Sequence, residues 1–192
     1  MKDRHRKKIA ASPETIRISS TVRRWQIDDK KIRASAALIL ESLGLADCEL
    51  DLSFIGPRAM RTLNKTWRNK NRSTDVLSFP QMKFAKPVSL KRPSRTSSNK
   101  NVKSHAVSAA LGDVIISIDD AARNAREDRG PLDRELVFLL VHGVLHLGGH
   151  DHEKPSEKKL MFGLQDQLMK KLTARAGQPI WTKCVKRKGS DR

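Results

Sequence analysis

The run from His142 to His152 reads His-Gly-Val-Leu-His-Leu-Gly-Gly-His-Asp-His. His142 and His146 are four residues apart, so on a helix they share one face, one turn apart. Two imidazoles at that spacing can hold one metal ion, with nitrogen–metal bonds of about 2.0–2.1 Å. A third ligand cannot come from further along the same straight helix, because eight residues rise about 12 Å. The chain must turn back, and Gly148 and Gly149 supply residues that tolerate the left-handed conformation. His150 or His152 can then return to the ion. Histidines at positions 1, 5 and 11, with glycine at position 8, reproduce the spacing of the metzincin zinc site, which favours His152. Such peptidases carry glutamate directly after the first histidine as general base. Here that position is Gly143, which argues for a hydrolytic metal site with different proton-transfer chemistry.

A helix must carry the first two ligands, and the preceding residues predict one. Pro131 suits a first-turn position, and Leu132, Leu136, Val137, Leu139, Leu140 and Val144 make a broad apolar face. Upstream, residues 16–22 read as a strand. Asp28 or Asp29 can cap a helix to about Leu43, stopped by Gly44. Cys48, Leu50, Leu52 and Phe54 alternate with polar residues as in a half-buried strand. Pro57 opens a short helix with Met60, Leu63 and Trp67 on one side, and Trp67 is expected in the core. Val76–Phe79 and Val114–Ser117 are further strands. Asp119 or Asp120 is expected to cap a helix ending near Gly130. A last helix starts at Pro155 or Ser156, with Leu160, Met161, Leu164, Leu168 and Leu172 on one stripe. Interleaved strands and helices indicate a single layered α/β or α+β domain.

The histidine run resembles the signature of the YbeY family of metal-dependent endoribonucleases, His-Gly-x-Leu-His-Leu-x-Gly-Tyr-Asp-His. Here His142, Gly143, Leu145, His146, Leu147, Gly149, Asp151 and His152 match, and His150 stands in place of tyrosine. Two upstream blocks are similar to the same family. One is Leu63, Asn64, Trp67, Arg68 and Thr74 to Pro80; the other is Leu111 to Ser117. The resemblance implies a four-stranded, mostly parallel sheet flanked by about five helices, with a zincin-like metal-site helix. It implies cleavage of single-stranded RNA in rRNA maturation and ribosome quality control, with the small ribosomal subunit or assembly factors as partners. His142, His146 and His152 would hold one Zn2+, with another divalent ion as the alternative. His150 and Asp151 are possible alternative ligands or supports, and Arg68 matches an arginine required for activity.

Phosphodiester cleavage needs a nucleophile, a stabiliser for developing negative charge and a route for protons. A three-histidine ion keeps an open position, where it can activate water or act as a Lewis acid on phosphate. The RNA 2′-hydroxyl is an alternative nucleophile. Arg68 can fork onto two phosphate oxygens in a way lysine cannot. Asp151, Glu153 and Glu135 are near enough in sequence to serve as base, and none stands out. Asp75 and Ser78 are matched positions that either close strand ends or line a groove. Two other classes compete: a metallopeptidase-like hydrolase, opposed by Gly143, and a non-catalytic RNA-binding assembly factor whose structural metal is closed by a fourth ligand such as His150.

Charge is distributed unevenly over the 192 residues, whose formal net charge is +18. Residues 1–8, 83–103 and 183–192 together hold 17 of the 39 Lys and Arg but only 2 of the 21 acids, so the remainder is close to balanced. We therefore expect a catalytic domain over 13–178 with basic tails at 1–12 and 179–192. A flexible basic insertion is expected at about 81–110, because so long a structureless stretch is unusual inside a compact domain. Lys83, Lys86, Lys91, Arg92 and Arg95 are its candidate RNA-backbone contacts. No apolar run is long enough to span a membrane, and no secretory signal is evident. Cys48 and Cys184 have neither disulfide nor metal-site spacing, and the simplest compartment is the cytoplasm.

Overall fold

A computed structural model of the chain describes residues 15–90, 109–174 and 185–186. The main sheet comprises β1 (Ile16–Ser20), β3 (Glu49–Ile55), β5 (Ala110–Ser117) and β4 (Val76–Pro80), in the order β1-β3-β5-β4. β1 and β5 both run parallel to β3, and β4 lies antiparallel on the edge. The helices are α1 (Asp29–Leu43), α2 (Pro57–Arg68), α3 (Ile118–Glu127), α4 (Leu132–Leu147) and α5 (Pro155–Ala174). The expected mostly parallel four-stranded sheet with five helices is thus the architecture observed. No described helix is long and apolar enough to cross a membrane.

α4 is the centre of the molecule. It packs on β4 and β5 and against α1, α3 and α5. Nine of its residues are buried, from Leu136 to Leu147, while His142 and His146 keep partial exposure. An element apolar almost all round has to be enclosed in this way. On the other face of the sheet, Leu77, Phe79 and Ile115 join Met60 and Leu63 of α2 in a second, smaller cluster. Strand alternation explains the division, since neighbouring residues in β4 and β5 point to opposite faces.

Helix ends follow local chemistry. The Asp28 carboxylate accepts from Lys31 N–H at the start of α1, and Gly44 ends it with φ 74. α3 departs from expectation. Its cap is Ser117, and Asp119 and Asp120 fall in the first turn, where their charge suits the helix dipole. Asp120 is buried and accepts from Ser73 Oγ and Ser117 Oγ, each at 2.5 Å, and from Arg123. Leu160 was expected on the apolar stripe of α5 but is 69% exposed, whereas Met161, Leu164, Leu168 and Leu172 are buried.

Residues 82–90 belong to the folded body: Met82, Phe84, Val88 and Leu90 pack against the main core. Lys83 and Lys86 are exposed there, while Lys91, Arg92 and Arg95 lie outside the described residues. Of the expected C-terminal tail, Val185–Lys186 forms a short strand, β6, antiparallel to β2 (Trp25–Gln26).

Candidate metal centre and active-site cleft

α4 ends in a turn that sets the third histidine. His150 N–H donates to Leu145 O, and Gly149 N–H donates to His146 O. With Gly149 at φ +86, this is the Schellman arrangement. The turn is pinned from outside. Val88 N–H donates to Gly148 O at 3.0 Å, and a Cβ on Gly148 would sit 2.5 Å from Val88 Cγ2. The chain then reverses, and Asp151 Oδ1 accepts from His152 N–H at 2.7 Å.

One ring nitrogen from each of His142, His146 and His152 lies within 4.8 Å of the others. His142 Nε2 and His146 Nε2 are 3.1 Å apart. Their opposite nitrogens are both engaged: His146 Nδ1–H donates to the carbonyl of His150, and His142 Nδ1–H donates to Gln165 Oε1, both at 3.0 Å. A neutral imidazole that donates from Nδ1 holds a lone pair on Nε2. Two such lone pairs facing each other repel unless a cation lies between them, so the donor set fits a metal ion. Burial lowers the proton affinity of His142, and the same cause, with the neighbouring rings of His142 and His152, brings His146 down to about 4. Both rings are therefore neutral at neutral pH, the form in which imidazole ligates metal. Phe138 and Phe162 flank the His142 ring.

His150 lines the same cavity as the three histidines but is bonded differently. Its Nε2–H donates to Val88 O at 2.6 Å, and it is not part of the three-nitrogen group. Asp151 fixes the backbone before His152 and does not support a ring. Gln165, which sequence reasoning missed, does support one. It is buried in α5, 23 residues from His142, and its Nε2 has no partner. Its signal was a lone amide among Met161, Leu164, Leu168 and Met169.

Gly143 is explained by packing. A Cβ there would meet Val114 Cγ1 at 2.7 Å and Ser78 Oγ at 3.0 Å. The residue after the first histidine faces the sheet, so this helix placement leaves no room for a peptidase-type glutamate. Ser78 is buried against that glycine.

The three histidines open into a cleft of about 500 Å³. Edge strand β4 forms its floor from Val76 to Ser78, with Pro80. Arg68, Lys70 and Arg72 stand on the α2 side. Arg68 therefore shares a cavity with the histidines. Asp75 also lines it, held by Val76 N–H and by Asn124 Nδ2–H. Of the three acids near the motif, Asp151 and Glu153 line the cleft and Glu135 does not. Burial and the nearby Asp75 raise the Glu135 carboxyl above its ordinary range.

Residues 17–173 match the family model described as endoribonuclease YbeY. The chain belongs to that family. A relative named endoribonuclease YbeY from Anaeromyxobacter sp. (strain Fw109-5) is 38% identical over 154 residues, covering 80% of this chain and 70% of that one. The relative of the same name from Aquifex aeolicus is 35% identical over 158 residues, covering 82% and 92%. The Myxococcus xanthus relative is 42% identical over 134 residues, and this chain spans 40% of that longer protein. The solution structure of a Thermotoga maritima protein, 24% identical, matches the fold with a TM-score of 0.50 over 80% of this chain and 85% of that one. Family membership agrees with the resemblance read from the three sequence blocks.

Proposed function

We propose that this chain is a metal-dependent endoribonuclease that cleaves single-stranded RNA during rRNA maturation and ribosome quality control in the cytoplasm. The observation that carries this reading is the facing Nε2 pair of His142 and His146, completed by His152, at the head of a cleft walled by Arg68, Lys70 and Arg72. His142, His146 and His152 would hold one Zn2+, for which imidazole nitrogens are suited. The ion, when bound, supplies Lewis acidity and makes water acidic enough to act near neutral pH.

The chain's own residues do the rest. Gln165 and the His150 carbonyl keep the Nδ1 protons in place, so the ligand lone pairs stay aimed inward. Arg68 is exposed in the cleft and can fork onto the phosphate oxygens that gain charge as the bond breaks. Lys70 and Arg72 add positive potential along the same wall, where they draw in an RNA backbone. The precursor rRNA is the proposed substrate, with the small ribosomal subunit or its assembly factors as partners. Lys83, Lys86 and the basic segments beyond the described residues, including Lys91, Arg92 and Arg95, would add backbone contacts.

The deciding experiment pairs elemental analysis with cleavage of structured and unstructured RNA. His146→Ala should lose both metal and cleavage while RNA binding persists. Full cleavage by that variant would overturn the assignment. A peptidase is disfavoured because a side chain at position 143 would collide with Val114 Cγ1, 2.7 Å from its Cβ. The bond from His150 Nε2–H to Val88 O favours a three-histidine site over one closed by His150.

A further inference from the structure

Trp67 breaks the rule that a large aromatic on the apolar side of a helix is buried. With Leu160, it is one of two large hydrophobic side chains exposed among the described residues, at 65%. The helical period puts it with Met60 and Leu63, which pack on the sheet, but it lies one residue from the end of α2. There it meets Phe79 of the edge strand edge-on, with ring centroids 5.8 Å apart and planes at 68°. That contact fixes the indole yet leaves most of its surface in solvent. Trp67 and Phe79 sit across β4 from the cleft floor, but their chain neighbours reach it: Arg68, the next residue, lines the cavity, as do Ser78 and Pro80 on either side of Phe79.

The same helix is cationic without a compensating acid. Arg58, Arg61, Lys65 and Arg68 are all exposed, and Pro57–Arg68 contains no Asp or Glu. At about 100° per residue the four fall within an arc of roughly 80° and span about 15 Å along the axis. Arg61 donates to the neutral Asn71, so its charge is not cancelled. The row of cations ends in the cleft at Arg68, and the exposed aromatic is the residue before it, about 100° round the helix; together they are complementary to a polyanion carrying flat bases.

We propose that α2 is the landing platform for one RNA strand, with a base outside the cleft stacked on Trp67 and the phosphate backbone passing Arg68 onto the Arg58–Arg68 stripe. This rests on the endoribonuclease reading and assigns its strand preference to a side chain. A base paired in a duplex has its faces already covered, whereas an unpaired base can stack on an indole whatever its identity. The stripe supplies affinity without sequence information.

The test measures the affinity of the full chain for two fluorescein-labelled probes: an oligoadenylate, and an abasic oligomer with the same number of phosphates. The wild-type chain should prefer the oligoadenylate. Trp67→Leu should weaken that probe about tenfold and leave the abasic one unchanged, while Trp67→Phe restores most of the preference. Because Trp67 is exposed, the variants should keep the wild-type circular dichroism. Replacing Arg58, Arg61 and Lys65 together by Gln should weaken both probes and reduce the slope of log affinity against log salt by about 2. Equal preference in wild type and Trp67→Leu would overturn the stacking role and leave the endoribonuclease reading intact. An unchanged salt slope in the triple variant would overturn the stripe and point to an acidic protein surface as its partner. Failure of the wild-type chain to bind either probe would overturn platform and substrate class together.

Discussion

Gln165 Oε1 lies 3.0 Å from His142 Nδ1, across the interface between α5 and α4. The contact fixes which nitrogen of His142 bears the proton and so which one is free to ligate. Gln165→Leu keeps a similar volume but removes the acceptor. It should lower Zn2+ affinity about 10–100-fold, read by competition with a chromophoric chelator. Gln165→Glu, which still accepts, should retain more affinity than Leu. Equal affinities in all three proteins would reduce Gln165 to a packing residue.

Position 143 tolerates no side chain without movement of the sheet. Gly143→Ala places a methyl group against Val114 Cγ1 and should destabilise the fold by about 1–3 kcal/mol, the usual cost of overpacking. Urea denaturation gives the value directly. Gly143→Glu should be worse still and should not create peptidase activity, since the added carboxylate has no path to the cleft.

Arg68 should separate chemistry from metal binding. Arg68→Ala is expected to keep a full complement of metal and lose about 10²–10³ in kcat, the size seen when one preorganised donor to a developing charge is removed. Arg68→Lys restores charge but not the planar fork, and should recover only part of the rate. Single-turnover cleavage with parallel metal analysis checks both points.

The acid stability of the fold should depend on Asp120. Burial raises its carboxyl, but hydrogen bonds from Ser117, Ser73 and Arg123 outweigh burial and hold it below the ordinary value. A carboxylate depressed in the folded state contributes stability that is complete above its unfolded pKa of about 3.9 and fades as pH falls through the folded value. Asp120→Asn should therefore be less stable than wild type at neutral pH. The gap should close as pH falls below about 4, as seen in melting temperatures across that range.

Much of this was legible in local sequence because the signals were local. The ligand pair follows from helical period, and the turn follows from Gly148 and Gly149. The individual strands and helices follow from periodic patterns, and the four-stranded, mostly parallel sheet from the family resemblance; the strand order β1-β3-β5-β4 was not legible. What escaped detection depends on contacts between distant segments. Gln165 reaches His142 from another helix. The exposure of Trp67 arises because α2 runs on to the edge strand, so a side chain with core periodicity has little to cover it. Leu160 fails for a related reason: the stripe on α5 is narrower than the sequence suggests, and its outer margin meets solvent. At α3 the cap is Ser117, and Asp120, read as a candidate cap, lies in the first turn and accepts from Ser73, 47 residues away. The stretch after Pro80 looked structureless because its apolar residues are widely spaced, yet Val88 finds both donor and acceptor partners at the end of α4.

That last pairing ties two parts of the chain into one functional unit. The third histidine hangs beyond a bend that the irregular segment following β4, packed on the same core as α4, holds shut through Val88 and the carbonyl of Gly148. A one-residue deletion between residues 82 and 88 would throw this clasp out of step and loosen the grip of His152, although none of the deleted atoms touches a ligand. Length is thus fixed in this short, plain stretch as strictly as residue identity is in the histidine motif, and an engineer should leave it unedited.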